Sequence, residues 1–199
     1  MTMLTIFGDA RSGNCLKVRW TAERLGLPYR WRDVDIMRGG SRTPEFLAMN
    51  PAGQVPLLLL EDGRPLAQSN AILLHLADGS ALVPTDRYAR AKMLEWLFWE
   101  QYSHEPYVAV ARFRVLYEGL SVARLDARLV ERGQAALVRL EEALGISKCL
   151  VGDTLTLADI ACVAYTRMAG DGGFDLARLP EVRRWVAETE AVLGLPPYA

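Results

Sequence analysis

The sequence is poor in the residues that build metal centres and disulfide frameworks. It has three cysteines, Cys15, Cys149 and Cys162, and two histidines, His75 and His104. An odd number of cysteines at unpatterned spacings argues against a disulfide scaffold and for a reducing, cytoplasmic compartment. The histidines stand far apart with no cysteine or carboxylate cluster at ligand spacing, so no metal site is expected. Apolar runs are short. Nowhere do 18 or more apolar residues follow one another, and no transmembrane helix is expected. The start, Met1-Thr2-Met3-Leu4-Thr5-Ile6-Phe7, has neither a basic n-region nor a long apolar h-region, so no signal peptide is expected. Charge of one sign does not accumulate either. Lys and Arg number 23 against 24 Asp and Glu, a net charge of −1, and the signs are interspersed. That removes any electrostatic reason to expect nucleic acid or an anionic membrane as partner. Internal repeats and low-complexity segments are missing as well.

What is present is a chain of 199 residues, 51% of them hydrophobic. That is enough for one large domain or two small ones with a sizeable core. The first part alternates strands and helices. Leu4–Phe7 reads as a short buried strand. Cys15, Val18, Ala22 and Leu25 recur at helical spacing, and Gly26 stands where a helix ends. Tyr29–Val34 alternates as a strand, and Pro44–Met49 reads as a short helical turn. Leu57–Leu60 and Leu66–Ala67 flank the turn residues Glu61-Asp62-Gly63-Arg64. A helix follows from about Ser69 to Ala77. Asp78-Gly79-Ser80 and Pro84 mark a break, and everything beyond reads as helix. Ala89 to about Tyr117 is long and apolar, with an expected interruption near Pro106. Leu125, Leu129, Ala136, Leu140 and Leu144 form a stripe that stops at Gly145. Thr156 and Asp159 have the spacing of a capping box, and Pro180 suits the first turn of a helix running to Leu193.

The most informative stretch is Asn50-Pro51-Ala52-Gly53-Gln54-Val55-Pro56, followed by Gln68-Ser69-Asn70. Pro56 stands directly before the apolar run Leu57–Leu60. Proline cannot donate to a sheet ladder, so it belongs at a strand's first residue or its edge. It is also the residue at which a cis bond is cheap, about 0.5–1 kcal/mol. A cis Val55–Pro56 bond would turn the Val55 N–H and C=O out of the sheet and toward a ligand. Ser69 lies at the start of a helical pattern, where unpaired N–H groups and the helix dipole suit a carboxylate.

These residues resemble the glutathione-binding half of the soluble glutathione S-transferases, bacterial-type members with a Ser/Asn loop. Two further segments fit the same family in the same order. Asp9-Ala10-Arg11-Ser12-Gly13-Asn14-Cys15-Leu16-Lys17-Val18 is similar to the loop and first helix that carry the catalytic residue. Gly152-Asp153-Thr154-Leu155-Thr156-Leu157-Ala158-Asp159-Ile160 is similar to the N-capping box of the second domain. The resemblance implies an α/β thioredoxin-like N-terminal domain with a mixed four-stranded sheet over residues 1–78. A linker at 79–87 and an all-α C-terminal domain over 88–199 would follow. It implies reduced glutathione as co-substrate with no permanently bound cofactor, a small hydrophobic electrophile as the second substrate, and a homodimer.

The implied roles are specific. Ser12 is the principal donor to the glutathione thiolate and Asn14 a secondary one. Gln54, Val55 and Pro56 form the peptide edge. Gln68, Ser69 and Asn70 hold the γ-glutamyl end, and Gln68 replaces the glutamate of some classes, contributing no charge. Arg42 is taken for the glycyl carboxylate, with Arg11 and Ser41 beside it as further candidates. Each has a plainer alternative: Ser12 and Asn14 as helix-cap residues, Arg11 and Arg42 as solvated surface charges. The chemistry explains why a donor is needed. A thiol with a pKa near 8.5 is only about 3% ionised at neutral pH. Lowering that pKa by ~2 units, about 2.7 kcal/mol, raises the reactive fraction more than tenfold. Cys15 stands at the second position of a Ser-x-x-Cys loop and reads as a core thiol rather than a nucleophile. The aromatic segment Trp96–Tyr107 and nearby Arg112 correspond to the helix that lines the electrophile pocket, with Tyr102, Tyr107 and Arg112 as candidates and core packing as the alternative. His104 reads as structural. Two other functions stay open: a glutathione-dependent disulfide or peroxide reductase of the same fold, and a non-enzymatic binding or regulatory module.

Overall fold

The computed structural model describes residues 3–198. The chain divides into two units, Met1–Ala81 and Leu82–Ala199. The first unit has the order β1 (Leu4–Gly8), α1 (Gly13–Arg24), β2 (Tyr29–Asp33), α2 (Pro44–Met49), β3 (Leu57–Leu59), β4 (Pro65–Ala67), α3 (Ser69–Leu76). This is the β-α-β-α-β-β-α sequence expected from the periodicities, with boundaries within a residue or two.

The four strands make one mixed sheet in the order β2-β1-β3-β4. β1 pairs parallel with β2 and antiparallel with β3, and β3 pairs antiparallel with β4. The parallel pair needs a crossover, and α1 supplies it. Fully buried Ile6, Val18, Leu57, Leu58, Ile72 and Leu73 form the core of this unit. Pro65 opens the edge strand β4, and Pro56 stands just before β3, places where a missing N–H breaks no ladder bond. Helix α1 stops as expected, with Gly26 in the left-handed region at φ 65°.

The second unit is built of helices: α4 (Arg87–Trp99), α5 (Glu105–Leu116), α6 (Ala127–Leu144), α7 (Leu157–Thr166) and α8 (Pro180–Leu193). The long apolar stretch is broken as the sequence predicts, just ahead of Pro106. Between α4 and α5 lies a π-helical turn, Glu100–His104. Proline lacks the N–H for the preceding turn, and its ring collides with the carbonyl four residues back, so the helix widens there. Leu125 falls outside α6, whose buried face is Ala136, Leu137, Leu140 and Leu144. Asp126, with its side chain on the Leu129 N–H, caps that helix instead.

The capping box of α7 is formed, and it does more than cap. Asp159 is fully buried. Its carboxylate accepts from the Thr156 N–H at 2.9 Å and the Thr156 hydroxyl at 3.1 Å. It also accepts from the Leu150 N–H at 2.9 Å and the Trp185 indole N–H at 2.9 Å. Burial pushes the Asp159 carboxyl up, and the four donors oppose that shift. One side chain thus ties the start of α7 to the preceding loop and to α8. Each buried donor left unmet costs about 1–3 kcal/mol, so Asp159→Ala is expected to lower the unfolding free energy by at least about 3 kcal/mol. Urea titration followed by tryptophan fluorescence checks this, and a loss below about 1 kcal/mol would show that the loop simply rearranges around the gap.

Candidate functional site

The site grows from two chain reversals in the first unit. At the end of β1 the chain turns through Asp9–Ser12 into α1. The Ser12 N–H bonds the Asp9 carbonyl at 3.0 Å, and Asp9 also accepts from the Arg11 N–H at 2.8 Å through its carboxylate. Ser12 holds the N-cap position of α1, yet its side chain makes no capping bond to the helix. Its hydroxyl is instead hydrogen-bonded with the Cys15 thiol. Ser12 and Asn14 are half-buried, while Cys15 and Lys17 are fully buried. Lys17 is the one lysine of this loop, and its burial is a feature that the helical periodicity did not flag.

The second reversal precedes β3. Asn50 ends α2 and folds the loop back on itself. Its amide donates to the Gln54 carbonyl at 2.8 Å, and its Oδ1 accepts from the Ala52 N–H at 3.2 Å. Gly53 sits at φ 61° with the Arg42 guanidinium above it. A Cβ there would meet Arg42 Nη1 at 2.5 Å and the Ser41 carbonyl at 3.0 Å. Arg42 donates to the Ala52 carbonyl at 3.2 Å and remains exposed. The Val55–Pro56 bond is cis. Val55 packs its side chain against the Val34, Phe46 and Leu57 cluster. Among the described residues no hydrogen bond reaches its N–H or C=O. Asn50 is thus a structural residue of the site that the motif reading left without a role. The Asn-Pro-Ala-Gly run after a helix is the turn signal that could have found it.

At the start of α3, Gln68 is exposed and Ser69 is buried. Gln68 stands at φ 71°, the one non-glycine residue with positive φ among those described. Ser69 donates its hydroxyl to Asn14 Oδ1 at 3.2 Å across 55 residues of sequence. That bond brings together the two helix starts, α1 and α3, that the sequence reading had linked only through a resemblance. Asn70, half-buried, follows in the first turn of α3.

Chain segments on this plan have known relatives. Residues 11–78 match the family model for the glutathione S-transferase N-terminal domain, and residues 121–191 match that for its C-terminal domain. The chain belongs to the glutathione S-transferase family. A crystal structure of a family member from Pseudomonas fluorescens Pf-5 is 47% identical, with a TM-score of 0.92, covering 99% of this chain and 98% of that one. Glutathione S-transferase 3 of Zea mays is 30% identical, over 99% of this chain and 97% of its own length. A disulfide-bond oxidoreductase, YfcG, of Escherichia coli K12 is also 30% identical, over 88% of this chain and 85% of its own length.

The residues expected at an electrophile pocket lie in the helical unit, and two of the three are brought together. Tyr102 is exposed and Tyr107 half-buried, and both line a cavity of about 330 Å³. Arg112, expected beside them, does not reach that cavity. It is buried, and its guanidinium meets the Asp171 carboxylate at 2.8 Å. Asp171 accepts in addition from the Tyr198 hydroxyl at 2.7 Å. The sequence showed Arg112 near the aromatic segment, but its partner lies 59 residues away. His104, fully buried, shares a 3.0 Å hydrogen bond with the Thr166 hydroxyl. Since that hydroxyl donates to the Cys162 carbonyl at 2.7 Å, the imidazole Nε2 is the donor to it. His104 is thus enclosed in the helical unit and held by Thr166.

Two predictions follow from this geometry. Burial outweighs the Ser12 bond and pushes the Cys15 thiol up to about 11. Mass spectrometry after iodoacetamide treatment at pH 8 is expected to find Cys15 unmodified in the native protein and fully modified after unfolding, and equal labelling in both would make it a reactive thiol. Holding a side-chain-bearing residue at positive φ costs about 1–3 kcal/mol, so Gln68→Gly should raise the urea midpoint, by about 1 kcal/mol in stability. A lower midpoint would mean that the glutamine side chain itself holds the start of α3.

Proposed function

We propose that the protein is a glutathione transferase. It holds reduced glutathione on the first unit, keeps the thiol ionised and adds the sulfur to a small hydrophobic electrophile. The observation that carries this reading is the Ser69–Asn14 bond, which sets a carboxylate-binding helix start beside the loop that carries Ser12. Family membership supplies the substrate.

In this reading the cysteinyl unit of glutathione pairs with the Val55 N–H and C=O as a short added strand, the mode by which extended peptides join a free backbone edge. The γ-glutamyl carboxylate sits on the N–H groups opening α3, where the helix dipole favours it. The Ser69 hydroxyl turns to that carboxylate and exchanges a neutral amide acceptor for a charged one, which makes the stronger bond. Gln68 accepts from the ammonium group through its side-chain carbonyl. Arg42, anchored on the Ala52 carbonyl, offers its remaining donors to the glycyl carboxylate. Gln54 and Pro56 flank the edge, and Asn70 continues the helix start.

The sulfur lies under Ser12. A hydroxyl that donates to the thiolate, at the positive end of α1, favours the ionised form. The thiol proton leaves to solvent. The thiolate lone pair then attacks the electrophilic carbon, the S–C bond forms, and the leaving group departs with its bonding electrons. No protein base is required, which fits a structural role for His104. Asn14 assists as a second polar group at the same loop. The protein is read as a cytoplasmic homodimer on the family resemblance.

A second reading, reduction of disulfides by two glutathione molecules, is favoured by the likeness to the bacterial oxidoreductase. Both readings need the same half of the site, and one variant series separates them. Ser69→Ala should weaken glutathione binding by about 10–100-fold, the worth of a hydrogen bond to a charged group, as read by calorimetry. Ser12→Ala should lower kcat/KM for conjugation more than tenfold with glutathione affinity nearly unchanged. If it abolishes disulfide reduction while conjugation persists, the reductase is the principal activity. No saturable binding at millimolar glutathione would sink both, and binding without any turnover would leave a regulatory module.

A further inference from the structure

The loop between α6 and α7 and the last turns of α8 border a cavity that the transferase chemistry does not use. On α8, Trp185, Glu188, Thr189 and Val192 stand at i, i+3, i+4 and i+7, one face of the helix. In the loop the chain turns back at Cys149, whose N–H donates to the Gly152 carbonyl at 2.8 Å, and runs on through Asp153 and Leu155. These residues line a cavity of about 310 Å³, within the range of about 300–1,000 Å³ for small-molecule sites. Its wall is anchored, because the Trp185 indole donates to the buried Asp159 carboxylate at 2.9 Å.

One polar side chain in this cavity has no protein partner. Thr189 is 3% exposed, and among the described residues its hydroxyl makes no hydrogen bond. A helical threonine can turn its hydroxyl to the carbonyl three or four residues back, as Thr166 does to Cys162 at 2.7 Å. Thr189 does not, and it lines the cavity. A nearly buried hydroxyl left unmet is a standing cost that a ligand atom can remove. The charges around the cavity are unequal as well. Lys148 lies 4.0 Å from Glu188, and Arg184 reaches Glu188 at 3.3 Å while also donating to the Lys148 and Leu144 carbonyls. Both cations thus already face Glu188. Asp153 is exposed and has no ion pair among the described residues. The Cys149 thiol in the wall is pushed up to about 11, by burial first and then by the Asp159 carboxylate, with Lys148 opposing. The cavity is apolar within and acidic at its rim.

We propose that this cavity binds a small primary amine with an apolar body, of the arylalkylammonium class. The Thr189 oxygen accepts from the ammonium group, and Asp153 and Glu188 offset its charge. Leu155, Trp185 and Val192 cover the carbon skeleton. An anion would meet the unpaired Asp153 carboxylate, and a hydrocarbon would leave the Thr189 hydroxyl unmet. The cavity lies wholly in the helical unit, so binding is measured without glutathione and the inference stands apart from the transferase reading.

The test is a calorimetric titration of the full-length protein with 2-phenylethylamine at pH 7 and low salt, beside its neutral analogue 2-phenylethanol. Saturable binding of the amine is expected, at least about tenfold tighter than that of the alcohol. Thr189→Val keeps the shape and removes the hydroxyl. It should weaken the amine at least about tenfold and leave the urea midpoint unchanged or higher, since no hydrogen bond within the protein is lost. Val192→Trp fills the cavity from an exposed position and should abolish binding. Asp153→Asn should weaken the amine about threefold, the scale of an exposed charge. The control Glu61→Gln removes an exposed carboxylate from the turn between β3 and β4 and should leave binding unchanged. The proposal is overturned if the amine does not bind, if the alcohol binds as tightly, or if Thr189→Val or Val192→Trp binds like the wild type. It is also overturned if Glu61→Gln weakens the amine as much as Asp153→Asn does.

Discussion

A polar group removed from water has to be met by a partner, and in the first unit that requirement falls on the starts of two helices. The first N–H groups of α1 and α3 have no carbonyl four residues back to bond. The N-cap residues, Ser12 of α1 and Gln68 of α3, make no side-chain capping bond, and the Ser69 hydroxyl, in the first turn of α3, is turned to Asn14. The Ser69 bond to Asn14, at 3.2 Å, is at the long end for a hydroxyl donor.

The same requirement is met in the opposite way in the helical unit. Asp159 is fully buried and holds four donors from three parts of the chain. The arrangement ties Leu150, the start of α7 and Trp185 together. Arg112 with Asp171, and Arg167 with Glu190 at 2.7 Å, repeat the pattern. Each closes a charge inside the unit and pins a distant segment, such as Tyr198 against Asp171. The sequence cannot separate these two uses of a polar residue, because both appear as a charged or hydroxyl side chain near a helix start.

That difference explains what could be read from the sequence. Elements set by local rules were legible: the helix of Cys15, Val18 and Ala22, the cap of Thr156 and Asp159, the stop at Gly26, the break before Pro106. The motif around Pro56 and Ser69 was legible because proline and a helix start each impose a stereochemical constraint within a few residues. Side-chain roles that no periodicity encodes were not. Arg112 was expected at a pocket and is paired with Asp171. Asn50 was read as part of a motif and is the residue that folds the loop around Gly53. Lys17 was read only as part of a loop pattern and is fully buried. For Arg112 the deciding contact lies 59 residues away, whereas the Asn50 bonds reach only Ala52 and Gln54 and its turn signal was local.

The cysteines constrain what the thiol chemistry can be. A protein-borne dithiol would require two sulfurs within bonding reach, with Cα atoms about 4.4–6.8 Å apart. The first unit contains one cysteine, Cys15, whose thiol is buried and whose pKa is raised to about 11. The position that a redox loop of this shape gives to its nucleophile is held by Ser12, which can donate a proton in a hydrogen bond but cannot form a disulfide. Every step at this loop that makes or breaks a bond to sulfur must therefore use the sulfur of a bound thiol. A disulfide substrate would be split by one such thiolate, leaving a mixed disulfide, and a second free thiol would release it, so that two thiols are oxidised for each disulfide reduced. An electrophile would consume one. On the proposed reading, conjugation and reduction would begin from the same bound thiolate and part in what is presented to it.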